Sequence, residues 1–276
     1  MVEWLALVIL GCVTATFGVM VGTGGGVIFV PMLLLLFDFD PEIAAGTSLT
    51  LVALNSFAGT HTYTRLGFVD LRSGILFAAV AIPGSMIAPF VVANIGGSLF
   101  RILFGLLLVV LATQLLVRSY MPRRVKRPKR MRTFRSFIKE RSIDTKRGQR
   151  FRYHFNEPLA TSMNFAIGFV SAFFGTGGGF LRTPLLVSVF NFPVRVAVAT
   201  SVFALSFYST VGSVVHASLF HVQWFPTVLF AGIGILIGGQ IGARLAVRIQ
   251  GAWLVRLLVL LLFVMGSQVL YEGIRG

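Results

Sequence analysis

Apolar runs long enough to cross a lipid bilayer recur along this 276-residue chain, and only 12% of its residues are charged. A hydrocarbon core about 30 Å thick needs roughly 20 apolar residues for each helical span. Backbone inside lipid must satisfy its own hydrogen bonds, so only helices or closed barrels can cross. Barrel strands alternate polar and apolar residues, whereas the segment that begins at Phe104, Phe-Gly-Leu-Leu-Leu-Val-Val-Leu-Ala, does not. We therefore predict an all-α polytopic membrane protein.

A Gly-Thr-Gly-Gly-Gly box occurs twice, at 22–26 and at 175–179, so the two copies lie 153 positions apart. Repeats at a fixed offset indicate that a fold is built from similar units. Other residues match at the same offset: Pro31 with Pro184, Phe37 with Phe190, Phe39 with Phe192, Thr47 with Thr200, Ser48 with Ser201, and Gly59 with Gly212. We infer a tandem duplication, with a first membrane repeat over 1–119, a loop over 120–158 and a second membrane repeat over 159–276.

Both halves divide into the same series of apolar runs, which cover 4–21, 27–37, 43–66, 71–94 and 99–119, and then 159–174, 180–190, 196–219, 224–247 and 252–271. The second run of each half would form a helix of only ~16 Å, which crosses half a bilayer. A short run beside a glycine-rich box is typical of a discontinuous helix. Each half is therefore predicted to contain a glycine-rich break and a short half-helix.

The positive charge is concentrated between the halves. Of the 24 Lys and Arg residues, 14 lie between Tyr120 and Pro158, against three acidic residues. A basic loop between spans is typical of the cytoplasmic side, so we expect a multi-pass protein of the plasma membrane with residues 120–158 in the cytoplasm. We expect this loop to meet anionic lipid headgroups and not nucleic acid. Part of it is predicted to lie on the membrane as a helix, because its basic residues are interleaved with Phe134, Phe137, Phe151, Tyr153 and Phe155.

The relative orientation of the halves depends on whether the short run counts as a crossing. If it does, each half has five crossings and the halves are inverted; if it does not, each half has four and the halves are parallel. Inverted halves place both termini outside and place these arginines on the cytoplasmic side, where positive charge is enriched: Arg65, Arg72, Arg195, Arg244, Arg248 and Arg256. Parallel halves would place the last four outside. The charges favour inverted repeats, and parallel repeats stay as the alternative.

The two glycine boxes are the first candidate for a binding site. Consecutive glycines are costly in a helix, so something must require an open backbone there. Backbone N–H groups at the start of the following half-helix attract negative charge, and the threonine of each box adds a hydroxyl. Close packing through small residues is the alternative. The predicted anion-binding residues of the boxes are Gly22, Thr23, Gly24, Gly25, Gly26, Gly175, Thr176, Gly177, Gly178 and Gly179.

Polar side chains in the long run after each half-helix are the second set of candidates. Asn55 and Tyr208 occupy equivalent positions and would make a shared pocket asymmetric. Hydrogen bonding within their own helix or to a neighbouring helix is the alternative for all of these residues. The predicted binding residues of this set are Thr47, Ser48 and Asn55 in the first half and Thr200, Ser201 and Tyr208 in the second.

Three further residues could carry charge. Arg182 lies three residues after the second box, where the first half has Phe29. Because an arginine in a short membrane segment is typically functional, we predict that it is the counter-charge of the substrate; an interfacial anchor is the alternative. His61 and His216 lie near the ends of the long runs, and we predict a role in proton coupling because histidine titrates near neutral pH. A position at the level of the headgroups is the alternative.

Acidic residues lie only at the ends of the apolar runs, at Asp38, Asp40, Glu42, Asp70 and Glu272. Carboxylates within membrane helices are the usual elements of proton relays and cation pathways, so their absence argues against a metal-cation carrier. The sequence also lacks metal-ligand motifs and any embedded acidic partner for a serine or histidine. We predict that the protein is not an enzyme and uses neither a cofactor nor a metal.

Around the first box the sequence reads Phe17-Gly-Val-Met-Val-Gly-Thr-Gly-Gly-Gly26, followed by Pro31 and Ala45-Gly-Thr-Ser48. Around the second it reads Phe174-Gly-Thr-Gly-Gly-Gly179, followed by Pro184 and Ala199-Thr-Ser201. This pattern resembles the sulfite exporter TauE/SafE family, also called the toluene-sulfonate uptake permease family or DUF81. The resemblance covers the full chain and implies transport of sulfite, thiosulfate, sulfonates or similar anions, in a direction that differs between members.

These observations together predict a secondary transporter of sulfur-containing or small organic anions. The anion is expected to bind between the two glycine-rich breaks near the bilayer midplane, and alternating access is expected to arise from rocking of the two halves. Two alternatives remain open from the residues alone. One is an anion channel, and the other is a membrane scaffold that acts through the basic loop.

Overall fold

The computed structural model describes residues 2–21, 24–120, 138–146, 148–248 and 252–275. Over these ranges the chain forms ten α-helices, one short π-helix (Trp224–Val228) that leads into α9, and one β-hairpin. In chain order the elements are α1 (Val2–Val21), α2 (Gly26–Leu36), α3 (Pro41–Leu66), α4 (Leu71–Val92), α5 (Gly97–Tyr120), β1 (Ile138–Asp144), β2 (Arg150–Asn156), α6 (Glu157–Phe174), α7 (Gly179–Ser188), α8 (Val194–Ser218), α9 (Leu229–Arg248) and α10 (Ala252–Arg275).

Six of the described helices are long and apolar enough to cross a membrane, which confirms the predicted all-α polytopic fold. These six segments correspond to α3, α4 and α5 of the first half and to α8, α9 and α10 of the second. The predicted short runs form α2, with 11 residues, and α7, with 10 residues. A helix rises 1.5 Å per residue, so each covers about half of a hydrocarbon core.

Both predicted helix breaks are present. Gly24 and Gly25 in the first break have φ angles of 78° and 90°, and Gly177 and Gly178 in the second have 87° and 59°. This left-handed region is open to glycine and strained for residues with a Cβ. The chain can therefore leave one helix and start another in a different direction within a few residues.

The elements of the two halves correspond in position and in local contacts. The starts of α2 and α3 are each 153 positions before those of α7 and α8. The turn after each half-helix is closed by the same bond, from Phe39 N to Leu33 O at 3.2 Å and from Phe192 N to Leu186 O at 2.9 Å. In the packing, α1 lies along α9 and α6 along α4, so the first helix of each half contacts the fourth of the other.

Equivalent helices run in opposite directions. The hydroxyl of Thr50, early in α3, lies 2.6 Å from that of Ser213, late in α8, whereas Thr60, late in α3, donates to the carbonyl of Val202, early in α8. In the α5–α10 pair, Gly266 packs against Leu108 and Gly273 packs against Ile102. Antiparallel packing of equivalent helices is the arrangement that inverted halves require.

Helices α3 and α8 form the centre of the bundle. Several of their polar residues are fully buried, among them Thr47, Ser48, Thr200 and Ser201. Helices α5 and α10 pack against each other at the periphery of the bundle. One face of each helix is exposed there, as at Leu106. A polar centre within an apolar exterior is the distribution expected for helices surrounded by lipid.

The expected surface helix in the central loop is wrong for its described part. Residues 138–156 form an antiparallel hairpin in which Arg141 pairs with Tyr153 and Ile143 with Phe151. The physical reason is periodicity: Phe151, Tyr153 and Phe155 alternate with polar residues, and a period of two places them on one face of a strand. Phe134 and Phe137 lie outside the described residues.

Candidate functional site

The two glycine-rich breaks meet between α3 and α8. Gly26, at the start of α2, packs directly against Gly175 and Thr176 of the second break. Gly175 in turn packs against the backbone of Ala45 in α3, and its carbonyl accepts a hydrogen bond from the hydroxyl of Ser48 at 2.8 Å. A Cβ atom at Gly26 or at Gly175 would overlap these neighbours, so glycine is required for the close approach.

The backbone of each break is held by an equivalent side chain. Asn55 Nδ2 donates to the carbonyl of Gly24 at 2.9 Å, and Tyr208 Oη donates to the carbonyl of Gly177 at 2.7 Å. Both pairs are related by the offset of 153, although the side chains differ. Since Asn55 and Tyr208 are both fully buried, each bond replaces the water that an unpaired carbonyl would need.

Arg182 is fully buried beside the second break. Its Nε donates to Asn164 Oδ1 at 2.6 Å, and its Nη1 donates to the carbonyl of Ser201 at 3.3 Å. The guanidinium carbon lies 4.8 Å from the centre of the Tyr208 ring, a cation–π contact. Within the described residues, Nη2 has no hydrogen-bond partner and neither of the two ion pairs includes Arg182.

Asn164 is a functional candidate that the sequence analysis missed. It lies in α6, and the equivalent residue of α1 is Gly11, just as Phe29 is the equivalent of Arg182. Asn164 and Arg182 thus form a hydrogen-bonded pair that the second half has and the first half lacks. The available signal in the sequence was that Asn164 is a polar residue in an apolar run and that the first half has glycine at the equivalent position. This signal indicates a function only because the structure places Asn164 next to Arg182.

Further buried hydroxyls near the second break also have no partner among the described residues. They include those of Thr176, within the break, of Ser201, whose carbonyl contacts Arg182, and of Ser171, which lies beside Gly178. A buried polar group without a partner is unfavourable, by roughly 1–3 kcal/mol. Together with Nη2 of Arg182, these hydroxyls are donors on the second half that a bound anion could satisfy.

Thr47 and Thr200 connect the two halves through their hydroxyls. The hydroxyl of Thr47 accepts from the backbone N–H of Gln223 at 2.9 Å, and that of Thr200 accepts from the backbone N–H of Asp70 at 2.9 Å. These bonds are equivalent under the offset of 153 and lie at opposite ends of the bundle, because α3 and α8 are antiparallel. Each fixes the start of a helix of the other half.

The two histidines have different environments. His61 is exposed on α3, whereas His216 is buried. His216 Nε2 contacts the carbonyl of Ala172 at 3.0 Å, and its other ring nitrogen lies 3.3 Å from His221. The equivalent bond of the first half runs from Tyr63 Oη to the carbonyl of Val19 at 3.1 Å. The contact that His216 makes is therefore one that a non-titrating phenol also makes.

Of the predicted site residues, the structure brings together those of the breaks with Ser48, Asn55, Arg182, Ser201 and Tyr208. Gly22 and Thr23 lie outside the described residues. The fifth residue of the second box, Gly179, begins α7, and its N–H bonds to the carbonyl of Gly177 at 2.7 Å. In the ranges that the structure describes, no group of three or more His, Cys, Asp or Glu residues is arranged to hold a metal ion.

Comparison with known proteins gives a consistent result. A family model described as sulfite exporter TauE/SafE matches residues 7–269. The chain is 30% identical to the probable membrane transporter protein YunE of Bacillus subtilis, over 99% of both chains. It is 27% identical to a probable membrane transporter protein of Xylella fastidiosa, over 84% of this chain and 81% of that one. A similar relative from Methanocaldococcus jannaschii is 23% identical over 94% of this chain and 92% of its own. No solved structure matches.

Proposed function

The chain belongs to the sulfite exporter TauE/SafE family of membrane transporters, and we propose that it is a secondary transporter of small sulfur-containing or organic anions. In this proposal the anion binds between the two glycine-rich breaks and crosses the membrane chemically unchanged. The protein would reside in the plasma membrane with the hairpin on the cytoplasmic side, where basic loops are enriched.

The observation that carries the proposal is the buried guanidinium of Arg182. A charge buried in a low-dielectric region is strongly unfavourable unless it is paired. The contacts with Asn164, Ser201 and the Tyr208 ring hold the group in place, but all three partners are neutral. A small anion that accepts from Nη2 would complete the ion pair. Sulfite, named in the family description, has several oxygen acceptors for this nitrogen and for neighbouring hydroxyls.

The half-helices add to the same electrostatic preference. The N-termini of α2 and α7 both lie at the place where the breaks meet. A helix N-terminus carries roughly half of a positive elementary charge, and it is a frequent location for bound oxyanions. Two such ends, with a guanidinium that packs on the Tyr208 ring beside the second break, favour an anion over a cation or a neutral solute.

Transport would follow from the antiparallel arrangement of equivalent helices. The substrate region lies between α3 and α8, which come from different halves. If the halves rock about this contact, the region is exposed first to one side of the membrane and then to the other. The negative cell interior favours anion export by about 2.3 kcal/mol per elementary charge per 100 mV, so export needs no coupling ion.

The direct test is anion flux into proteoliposomes with sulfite, thiosulfate, sulfoacetate and acetate, each with and without a pH gradient. We expect saturable flux of at least one sulfur oxyanion.

The glycine-rich breaks are tested by substitution. Gly24→Leu and Gly177→Leu should abolish anion flux, because both glycines have positive φ and Gly24 is enclosed by Leu205 and Val52. The matched control is Gly96→Leu, since a Cβ at Gly96 has nothing within 4 Å. Unchanged flux in both break variants would show that the breaks are not the site, and voltage-dependent current without saturation would indicate a channel.

A second test addresses the charge of Arg182. Asn164→Asp keeps the size of the side chain but places a carboxylate next to Nε, so the protein supplies its own counter-ion. We expect sulfite affinity, measured by thermal shift and by the KM of flux, to fall by about tenfold or more. The control is Asn156→Asp, because Asn156 caps α6 through a side-chain oxygen that aspartate retains. Normal affinity in Asn164→Asp would exclude Arg182 as the counter-charge.

A further inference from the structure

The hairpin is attached to one half and hydrogen-bonded to the other. Strand β2 ends at Asn156 and continues directly into α6 of the second half. The hairpin base is also tied to α6 by an ion pair between Arg141 and Glu157. On its inner face, Tyr153 Oη donates to Asp70 Oδ2 at 2.7 Å, and Asp70 belongs to the α3–α4 link of the first half. The hairpin therefore spans the boundary between the halves.

Asp70 is the point at which three elements are joined. Its Oδ1 accepts from the backbone N–H of Ser73 at 3.1 Å, and its Oδ2 accepts from the Ser73 hydroxyl at 2.6 Å, so that it caps α4. Its own backbone N–H donates to Thr200 in α8 at 2.9 Å. Burial and the neighbouring Asp70 carboxylate raise the pKa of Tyr153 far above its ordinary value, so the phenol stays protonated and remains a donor.

Apolar contacts reinforce this hydrogen-bonded joint. The Tyr153 ring lies 4.3 Å from that of Phe192, in the α7–α8 link, and the Phe155 ring lies 4.8 Å from it. Phe151 packs on Phe68 of the first half at 6.2 Å. The hairpin turn rests on Gly67, where a Cβ would lie 3.2 Å from Lys146 N. Tyr153 and Phe155 are almost fully buried, so separating the hairpin from the bundle would expose both rings.

The opposite end of the bundle has the equivalent joint without such a clasp. There Gln223 takes the position of Asp70, and its backbone N–H donates to Thr47. Its side chain is exposed and bonds only locally, to the carbonyl of Phe225 at 3.1 Å. The Gln223 end has aromatic contacts of its own between the halves, from Trp4 to Phe225 and Phe230. Among the described residues, however, a side-chain hydrogen bond from a separate element reinforces the joint at Asp70 and not the one at Gln223.

We propose that the hairpin is a latch that holds the Asp70–Thr200 end of the bundle closed. The inference rests on the proposed function to the extent that it assumes alternating access. Opening that end requires α4 of the first half to move from α8 of the second, and the hairpin bridges these two parts. The latch biases the protein toward the conformation that is open at the Gln223 end, and transport requires its release in each cycle.

Cysteine labelling of the purified protein tests the bias without any substrate. The one native cysteine, Cys12, is first replaced by serine. Reporters are placed at Ala197 and Ala44, which are fully buried and equivalent under the offset of 153. Ala197 packs in the same apolar cluster as Tyr153, whereas Ala44 lies near the opposite end. Opening at the hairpin end should expose Ala197→Cys to maleimide, and opening at the other end should expose Ala44→Cys.

We expect Tyr153→Phe to raise the labelling rate of Ala197→Cys by about tenfold, the effect of losing one hydrogen bond to a charged acceptor, and to lower that of Ala44→Cys. The control is Tyr271→Phe, which removes a hydroxyl from an exposed ring on α10. A rise at both reporters would indicate general loosening, and no change at Ala197→Cys would indicate no latch; either result overturns the proposal. Labelling is independent of flux, so loss of the anion site and loss of the latch give different results.

A crosslink provides the second test. Cysteines at Asp70 and Tyr153, joined by a bifunctional thiol reagent, should trap the hairpin end closed. We expect the crosslinked protein to lose at least 90% of the flux of the same variant before crosslinking, and a cleavable reagent should restore it. Full flux in the crosslinked protein would show that the latch is not released during transport.

Discussion

At the scale of single residues, equivalent positions make the same contacts with different side chains. Tyr63 and His216 both bond to a carbonyl of the first helix of their own half, at Val19 and Ala172. Asn55 and Tyr208 likewise both bond to the third residue of a glycine box. Both halves therefore share the hydrogen bond to the carbonyl, and they differ in the side chain that makes it.

This comparison gives a test of the predicted proton coupling at His216. His216→Tyr should keep the bond to Ala172 and therefore both fold and flux, because Tyr63 makes that bond in the first half. His216→Ala should lower the free energy of unfolding by about 1–3 kcal/mol, since a buried carbonyl loses its partner. The measurements are thermal unfolding and flux between pH 5.5 and 8. His61→Tyr is the control, because His61 is exposed. If His216→Tyr folds but loses the pH dependence of flux, the histidine takes part in proton coupling.

At the scale of elements, the short helices and the hairpin have separate roles. Helices α2 and α7 begin at the two breaks, which pack against each other, whereas the hairpin lies at one end of α3, α4 and α8. All of the residues proposed to contact the anion belong to the breaks and to the helices beside them. Substrate recognition and latching are therefore located in different elements.

Replacing residues 123–155 with a Gly-Ser linker of equal length separates transport from scaffolding. We expect saturable anion flux to persist, because the anion site contains no residue of this segment. The KM should stay within about twofold of its original value, and thermal stability should fall, since Phe192 loses its contacts with Tyr153 and Phe155. Flux into proteoliposomes and thermal unfolding measure these effects. A protein that acts only as a scaffold through this loop would show no flux before or after the replacement.

At the scale of the whole molecule, the pairs α3–α8 and α5–α10 pack antiparallel, which is the arrangement that inverted halves require. The helix ends at Thr64 in α3 and Ser218 in α8 are both exposed and lie in nearly equivalent positions. Inverted halves place these two positions on opposite sides of the membrane. Parallel halves would place them on the same side.

Labelling of intact cells distinguishes the two arrangements. In a protein without Cys12, we expect Ser218→Cys to react with a membrane-impermeant maleimide from outside, and Thr64→Cys to react only after the cells are permeabilised. The reason is that the basic central loop favours a cytoplasmic location for the hairpin end, and Thr64 lies at that end. Reaction of both positions under the same condition would contradict inversion.

The helical fold, the number of apolar elements and the place of both breaks could be predicted from the amino-acid sequence alone. These properties depend on local composition: lipid requires runs of apolar residues with internally bonded backbone, and glycine pairs permit the left-handed turns at Gly24 and Gly177. The offset of 153 also shows from the sequence that Asn55 and Tyr208 occupy equivalent positions.

Which polar residues contact one another could be seen only once the helices were packed. Asn164 lies 18 positions before Arg182, and Asp70 lies 83 positions before Tyr153, so no local pattern joins them. The hydroxyls of Thr47 and Thr200 bond to backbone of the other half, whereas the neighbouring Ser48 and Ser201 bond to the second break and to Arg182. A helix presents successive residues in different directions, so the sequence does not separate these two kinds of contact. The hairpin replaced the expected surface helix because its aromatic face had a docking place on Phe68 and Phe192. Such pairings depend on how distant helices cross, and that geometry is set by packing of the whole bundle.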